Sequence, residues 1–314
     1  PVGALTSKPY AFEARSWELS KTESVDVMDA VGSNIRIDTR GTEVLRILPV
    51  LNEEVNEEWI SDKTRYACDG LSKQRLDQPY IKTNGKLQPA TWEDAFETIS
   101  EKLIKTDNTK IAGLVGDLCD AESMTAFKDL MSTLGCENVD CRQDGSKLDP
   151  RARTGYIFNT TISGIERSDA CLIVGANPRT EASIINARLR KRSQAGGFNI
   201  GLVGENVDLT YAYDHLGVDP SVLLEIQAGN SPFTNILNKA ERPMIILGQG
   251  ALCRDDGPVI LSTVRSIAEA NGIVSADWNG FNVLHTAAAR VAGLDLGLVP
   301  GDGGLSLDGI LAGA

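Results

Sequence analysis

Histidine is almost absent from this sequence: His215 and His285 are the only two in 314 residues. Neither has a cysteine or a second histidine at metal-ligand spacing, so both are expected to be structural and no metal site is expected. No stretch reaches the run of about 18 apolar residues that a membrane-crossing helix needs. Cysteine is sparse, and Cys68, Cys119, Cys136, Cys141, Cys171 and Cys253 form no C-x-x-C pair. That pattern reads as reduced, intracellular thiols and not as a disulfide framework. Basic residues are outnumbered, 31 Lys and Arg against 43 Asp and Glu, for a net charge of −12. A chain so acidic lacks the basic surface that general nucleic-acid binding requires. A Walker-type phosphate loop is missing too. The nearest approach to a dinucleotide fingerprint, Gly248-Gln249-Gly250, lacks the third glycine.

What remains is ordinary globular material, 42% hydrophobic and 24% charged, and long enough for two domains. The chain begins at Pro1 and not at Met, and is expected to have been processed or cut from something longer. Residues 1–90 carry short β-prone runs at Ser24–Met28, Ile35–Thr39 and Val44–Leu48, with a hairpin signal at Arg40-Gly41-Thr42 and a turn at Asn84-Gly85. From Thr91 the texture changes. Thr91 and Asp120 are suited to cap helices running to Lys105 and Leu134, the first with Trp92, Ala95, Phe96, Ile99 and Leu103 on one face. Apolar strands are expected at Lys110–Val115, Asn138–Arg142, Asp169–Val174, Asn199–Val203 and Pro243–Leu247. Helices alternate with them at Glu181–Ala195, Pro220–Gln227, from Ser231-Pro232, at Pro258–Ala270 and at Leu284–Val291. Such alternation argues for an α/β, doubly wound architecture. Residues 301–314 are Gly-rich and read as a linker to a C-terminal part.

Few residues can be singled out for chemistry, and no catalytic residue is assigned. The turn Gly175-Ala176-Asn177-Pro178-Arg179-Thr180 follows a strand and precedes a helix, the place where α/β sheets bind anions, and Gly175 would admit a ligand close to the backbone. A plain strand–helix turn opened by Pro178 explains the same residues. Arg188, Arg190, Lys191 and Arg192 suit a solvated helix end or a docking patch, as Glu53, Glu54, Glu57 and Glu58 suit a solvated face.

Three stretches carry a family resemblance. Pro1–Tyr10, Ser24–Arg46 and Asn56-Glu57-Glu58-Trp59-Ile60-Ser61-Asp62-Lys63-Thr64-Arg65 resemble the large iron–sulfur subunit of NADH–quinone oxidoreductase, respiratory complex I. The last two more distantly resemble the N-terminal domain of molybdopterin oxidoreductases such as formate dehydrogenase, which holds a 4Fe-4S cluster. Laid on this sequence, the cluster pattern puts Asp26, Asp29, Ser33 and Ser61 where the family has cysteines. The resemblance therefore implies vestigial cluster positions there, and a vestigial dinucleotide turn at Gly175, Asn177 and Pro178. It offers no Ser or Cys that can be placed as a molybdenum ligand. After Asn199–Val203 the chain reads Gly204-Glu205-Asn206 where the enzymes carry Asp-Pro-Arg.

The implied fold is a β-rich lobe, 1–90, followed by formate dehydrogenase/DMSO reductase-like α/β lobes: 91–145 plus 238–300, with 146–237 inserted. The implied role is a cofactor-free scaffold in NADH-to-quinone electron transfer. The 4Fe-4S and 2Fe-2S clusters would lie upstream, and the partners would be the other peripheral-arm subunits. The implied location is peripheral, on the cytoplasmic face of a bacterial inner membrane or the matrix side of the mitochondrial one. A molybdopterin- or nucleotide-binding oxidoreductase domain is the alternative.

Overall fold

The computed structural model describes residues 6–313, so half of the Pro1–Tyr10 segment lies outside the described residues. The first lobe is a three-stranded antiparallel sheet of β1 (Ser20–Val25), β2 (Asn34–Arg40) and β3 (Glu43–Pro49). Ser20 pairs with Thr39 and Val25 with Asn34, which leaves residues 26–33 as the loop that crosses from β1 to β2. A short helix, α1 (Asp62–Tyr66), follows, and then a hairpin of β4 (Tyr80–Thr83) and β5 (Lys86–Pro89). Asn84 and Gly85 both have positive φ, 49° and 79°, the two-residue turn whose twist matches paired strands.

Helix α2 (Trp92–Lys105) starts at a reciprocal cap, Thr91 accepting from the Asp94 N–H and the Asp94 carboxylate accepting back from Thr91. Its predicted apolar stripe is not buried: Trp92, Phe96 and Ile99 are 62%, 61% and 51% exposed. Next come β6 (Gly113–Leu114), α3 (Ala121–Thr133) and β7 (Val139–Asp140), with β6 and β7 parallel. Asp120 caps α3 by accepting from the Ser123 N–H at 2.7 Å.

The main sheet is built from β8 (Ala170–Val174), β9 (Asn199–Val203), β10 (Asp214–Gly217), β11 (Pro243–Gly248) and β12 (Phe281–Leu284). Helices α4 (Pro178–Glu181) and α5 (Ser183–Gln194) separate β8 from β9. Helices α6 (Ser221–Gln227) and α7 (Pro232–Lys239) lie between β10 and β11, and α8 (Gln249–Leu252) and α9 (Gly257–Ala270) between β11 and β12. The strand order is β10-β9-β8-β11-β12, all parallel. Successive side chains on a strand point to opposite faces. Cys171 and Ile173 of β8 accordingly face α5, with Ile185 and Leu189, while Ala170, Leu172 and Val174 face the opposite cluster, with Leu223, Phe233, Val264 and Ile267. Strands covered on both faces read as unbroken apolar runs, as β8 and β11 do.

Three expectations are corrected. Residues 238–300 do not complete a sheet with 91–145, because β11 pairs with β8 over Pro243–Leu247 and so shares the sheet of 146–237. Residues 290–300 do reach 91–145, through the Leu298 carbonyl, which accepts from the Cys141 N–H at 2.9 Å. Leu284 opens no helix. It ends the buried strand β12, and helix α10 (Arg290–Asp295) starts six residues later; a short apolar run has no period to tell the two apart. The Gly-rich tail contains helix α11 (Leu307–Gly313), tied back by Lys147 and Asp308 at 2.8 Å.

Candidate functional site

The loop between β1 and β2 turns inward because its polar side chains bond to its own backbone. Asp26 accepts from the Met28 N–H and Asp29 from the Val31 N–H, each at 3.0 Å, and the Asp26 N–H donates to the Ser33 carbonyl at 2.8 Å. Ser61 arrives from the other side as the N-cap of α1, its hydroxyl accepting from the Thr64 N–H at 3.1 Å. The Thr64 hydroxyl lies 2.8 Å from the Ser61 Oγ and donates to Asp26 Oδ2 at 2.7 Å. The structure thus joins Asp26 to Ser61 through Thr64, and Asp26, Asp29, Ser33 and Ser61 are all buried. Burial, with Asp26 nearby, pushes the Asp29 carboxyl above its ordinary value against the opposing Val31 N–H and Lys63. Thr64 was not singled out by sequence; the spacing Ser61-x-x-Thr64 could have shown it as a capping pair. Asn56 was part of the motif without a role, and its role is to rivet the loop. Its amide oxygen accepts from the Asn34 N–H at 2.9 Å, and its NH2 donates to the Val50 and Trp59 carbonyls.

A 4Fe-4S cluster is held by thiolates, and the donor set here does not fit one. Two carboxyls and two hydroxyls stand at the four positions. The thiol nearest in the chain, Cys68, lines a separate cavity with Tyr10 and Arg46. Cys119 alone borders the cavity of about 330 Å³ beside Asp26 and Asp29. No group of three or more His, Cys, Asp and Glu among the described residues is arranged to hold a metal ion.

The second candidate lies at the carboxyl ends of β8, β9 and β11, where the strand order reverses between β8 and β11. A cleft of about 540 Å³ opens there, lined by Gly175, Asn177, Glu181, Gly204, Glu205 and Arg254 among others. Gly175 has φ +57°, and a Cβ on it would meet the Ala251 N at 2.5 Å. Its missing side chain makes room for α8. The Asn177 N–H donates to Glu181 Oε1 at 2.9 Å. The turn's cation, Arg179, bonds the Asp208 carbonyl and carboxylate and does not line the cleft. Arg254 lines it, but is engaged twice by Asp256, at 2.6 and 2.9 Å. An amide aimed at an anion is thus already capped by a carboxylate, which does not fit a dinucleotide's phosphates.

The basic helix end and the acidic segment prove to be one interface. Arg188 is buried, and its guanidinium bonds Glu57, Glu166 and the Glu53 and Val55 carbonyls. Lys191 bonds the same two carboxylates, and Arg192 donates to the Ser168, Gly196 and Gly197 carbonyls. Of the expected docking residues, Arg190 and Glu58 stay exposed and Glu54 takes the Ser163 hydroxyl. The histidines differ in burial: His285 is buried against the Tyr156 carbonyl at 2.5 Å, and His215 is exposed and bonded to the Gly204 carbonyl.

Comparison with known proteins adds the following. The molybdopterin oxidoreductase profile matches residues 75–312. The profile of the NADH-ubiquinone oxidoreductase NDSU1/NuoG-like 4Fe-4S domain matches residues 19–69. A mitochondrial NADH dehydrogenase (ubiquinone) iron–sulfur protein 1 from Solanum tuberosum is 51% identical over 96% of this chain and 41% of its own length. The NADH-ubiquinone oxidoreductase 75 kDa subunit of Reclinomonas americana is 48% identical over 95% of this chain and 45% of its own. An NADH-quinone oxidoreductase subunit of Rickettsia felis is 48% identical over 95% and 44%. The chain therefore spans less than half the length of these curated relatives. Among solved structures, acetylene hydratase from Pelobacter acetylenicus superposes on 90% of this chain and 43% of its own, with a TM-score of 0.47 and 12% identity.

Proposed function

As this chain belongs to the molybdopterin oxidoreductase family, we propose that it is the part of a large iron–sulfur subunit of NADH–quinone oxidoreductase that serves as a structural scaffold without a cofactor of its own. The observation that carries this reading is the donor set at the loop between β1 and β2. The matched 4Fe-4S domain spans Asp26, Asp29, Ser33 and Ser61, and none of these side chains is a thiol. Thr64 occupies the space between Asp26 and Ser61 with hydrogen bonds. At the turn of Gly175, Asn177 and Pro178, Glu181 takes the Asn177 N–H. We read both as vestiges of a cofactor-binding ancestor.

In the whole protein, 4Fe-4S and 2Fe-2S clusters outside this chain would relay electrons from NADH toward quinone. This region would pack beside that relay and against other peripheral-arm subunits. It would sit on the membrane periphery, on the cytoplasmic side in a bacterium or the matrix side in a mitochondrion. No described helix is long and apolar enough to cross a membrane. The test is anaerobic incubation of the purified chain with iron, sulfide and thiol, followed by reduction and EPR. The reading predicts no cluster signal after desalting. A stable signal of one cluster per chain would refute it. Asp26→Cys, Asp29→Cys, Ser33→Cys and Ser61→Cys combined is the positive control.

A further inference from the structure

The hairpin of β4 and β5 stands clear of the core. Of its eight strand residues only Ile81 is even partly buried. A two-stranded hairpin without further support is marginally stable in water, so its turn opens at little cost. That turn, Asn84-Gly85, is one of three Asn-Gly steps in the chain, beside Asn271-Gly272 and Asn279-Gly280. Such a step is chemically labile because glycine has no Cβ to shield its nitrogen from the preceding side-chain amide. The fold restrains two of the three. Asn271 is 8% exposed, and its NH2 donates to the Ile267 carbonyl at 2.8 Å. Gly280 is buried and its N–H donates to the Ile273 carbonyl at 2.7 Å, while the Asn279 amide oxygen accepts from the Phe281 N–H at 3.1 Å. Neither restraint exists at Asn84. Both turn residues are exposed, and a Cβ on Gly85 would meet nothing within 4 Å. Among the described residues no hydrogen bond holds the Gly85 N–H or the Asn84 side chain.

We propose that Asn84 is a site of spontaneous deamidation, with water as the only co-reactant. The Gly85 nitrogen gives up its proton and bonds the Asn84 Cγ. The bond from Cγ to the side-chain nitrogen breaks, and that nitrogen leaves as ammonia with the proton. Water then adds to one carbonyl of the resulting succinimide and reopens the ring. Opening at one carbonyl gives aspartate, and at the other isoaspartate. Either product places a new negative charge at the turn. Isoaspartate also adds a methylene to the backbone there, against the pairing of Thr83 with Lys86, and is the class of substrate that an isoaspartate methyltransferase takes.

The experiment holds the purified chain in mildly alkaline buffer for weeks, native in one arm and unfolded in urea in the other. Each Asn-Gly step is followed by peptide mapping and by methyl transfer from an isoaspartate methyltransferase. In the native chain, conversion at Asn84 is expected to be about tenfold or more faster than at Asn271 or Asn279, the difference reflecting the cost of local opening. In urea the three steps are expected to convert at similar rates. Asn84→Gln must close a larger ring, which forms more slowly, and is expected to lose the acidic species that the parent develops on anion exchange. The proposal is overturned if Asn84 stays intact in the native chain, if Asn271 or Asn279 converts as fast as Asn84 there, or if the acidic species persists in Asn84→Gln. Should Asn84→Gln not fold, the native and urea arms on the parent chain still decide.

Discussion

Asp29 and His285 are both buried titratable groups, and they tilt stability in opposite directions with pH. Burial pushes the Asp29 carboxyl up, so the unfolded chain releases that proton first. The stability it contributes is complete below the ordinary carboxylate value and is lost as pH rises through the folded-state value. Asp29→Asn keeps an oxygen for the Val31 N–H, and is expected to raise Tm at neutral pH and remove that loss. Burial pushes His285 down to about 4, against the pull of the Tyr156 carbonyl. Here the unfolded chain takes up the proton first, so stability is lost as pH falls from about 6.5 towards 4, by on the order of 3 kcal/mol. Urea unfolding across that range should show the slope in the parent and its loss in His285→Gln. Thr64→Val strips Asp26 of its 2.7 Å donor and is expected to cost about 1–3 kcal/mol in the same assay. The sequence alone named Asp26, Asp29, Ser33 and Ser61 through resemblance, because position in a motif is linear information. It could not name Thr64 as the link, or Glu181 as the cap on Asn177, since those depend on where side chains meet.

Helix α5 and the acidic loop at 53–58 show why charge runs mislead at the level of elements. Each alone looks like a solvated face, yet Arg188 is buried and bonded to Glu57 and Glu166. Removing one partner of a buried pair strands the rest. Arg188→Met is therefore expected to cost about 3 kcal/mol by urea unfolding, and Arg190→Met, at an exposed position of the same helix, under about 0.5 kcal/mol. The caps at Thr91 and Asp120 were legible in advance because capping is a local pattern, and the hydroxyl and the carboxylate do accept the expected N–H. Strands β10 and β12 were not legible. Asp214–Gly217 is too polar and Phe281–Leu284 too short to have a period. Their pairing is set by neighbours distant in sequence.

Over the whole molecule, the α/β alternation visible from Thr91 onward becomes two parallel sheets, the pair β6-β7 and the five-stranded sheet that is covered on both faces. The grouping of its pieces was not visible, because strand order is decided by contacts such as Pro243 with Ala170. The scaffold reading belongs to this scale as well. The body holds a five-stranded parallel sheet whose strand order reverses between β8 and β11. At the two candidate sites, meanwhile, Asp26 accepts from the Thr64 hydroxyl and Glu181 from the Asn177 N–H. Elemental analysis of the purified chain for iron, molybdenum and tungsten, set against protein concentration, tests that most directly. The scaffold reading predicts each metal far below one per chain. One molybdenum or tungsten per chain, or four irons, would contradict it and make this region a working redox domain.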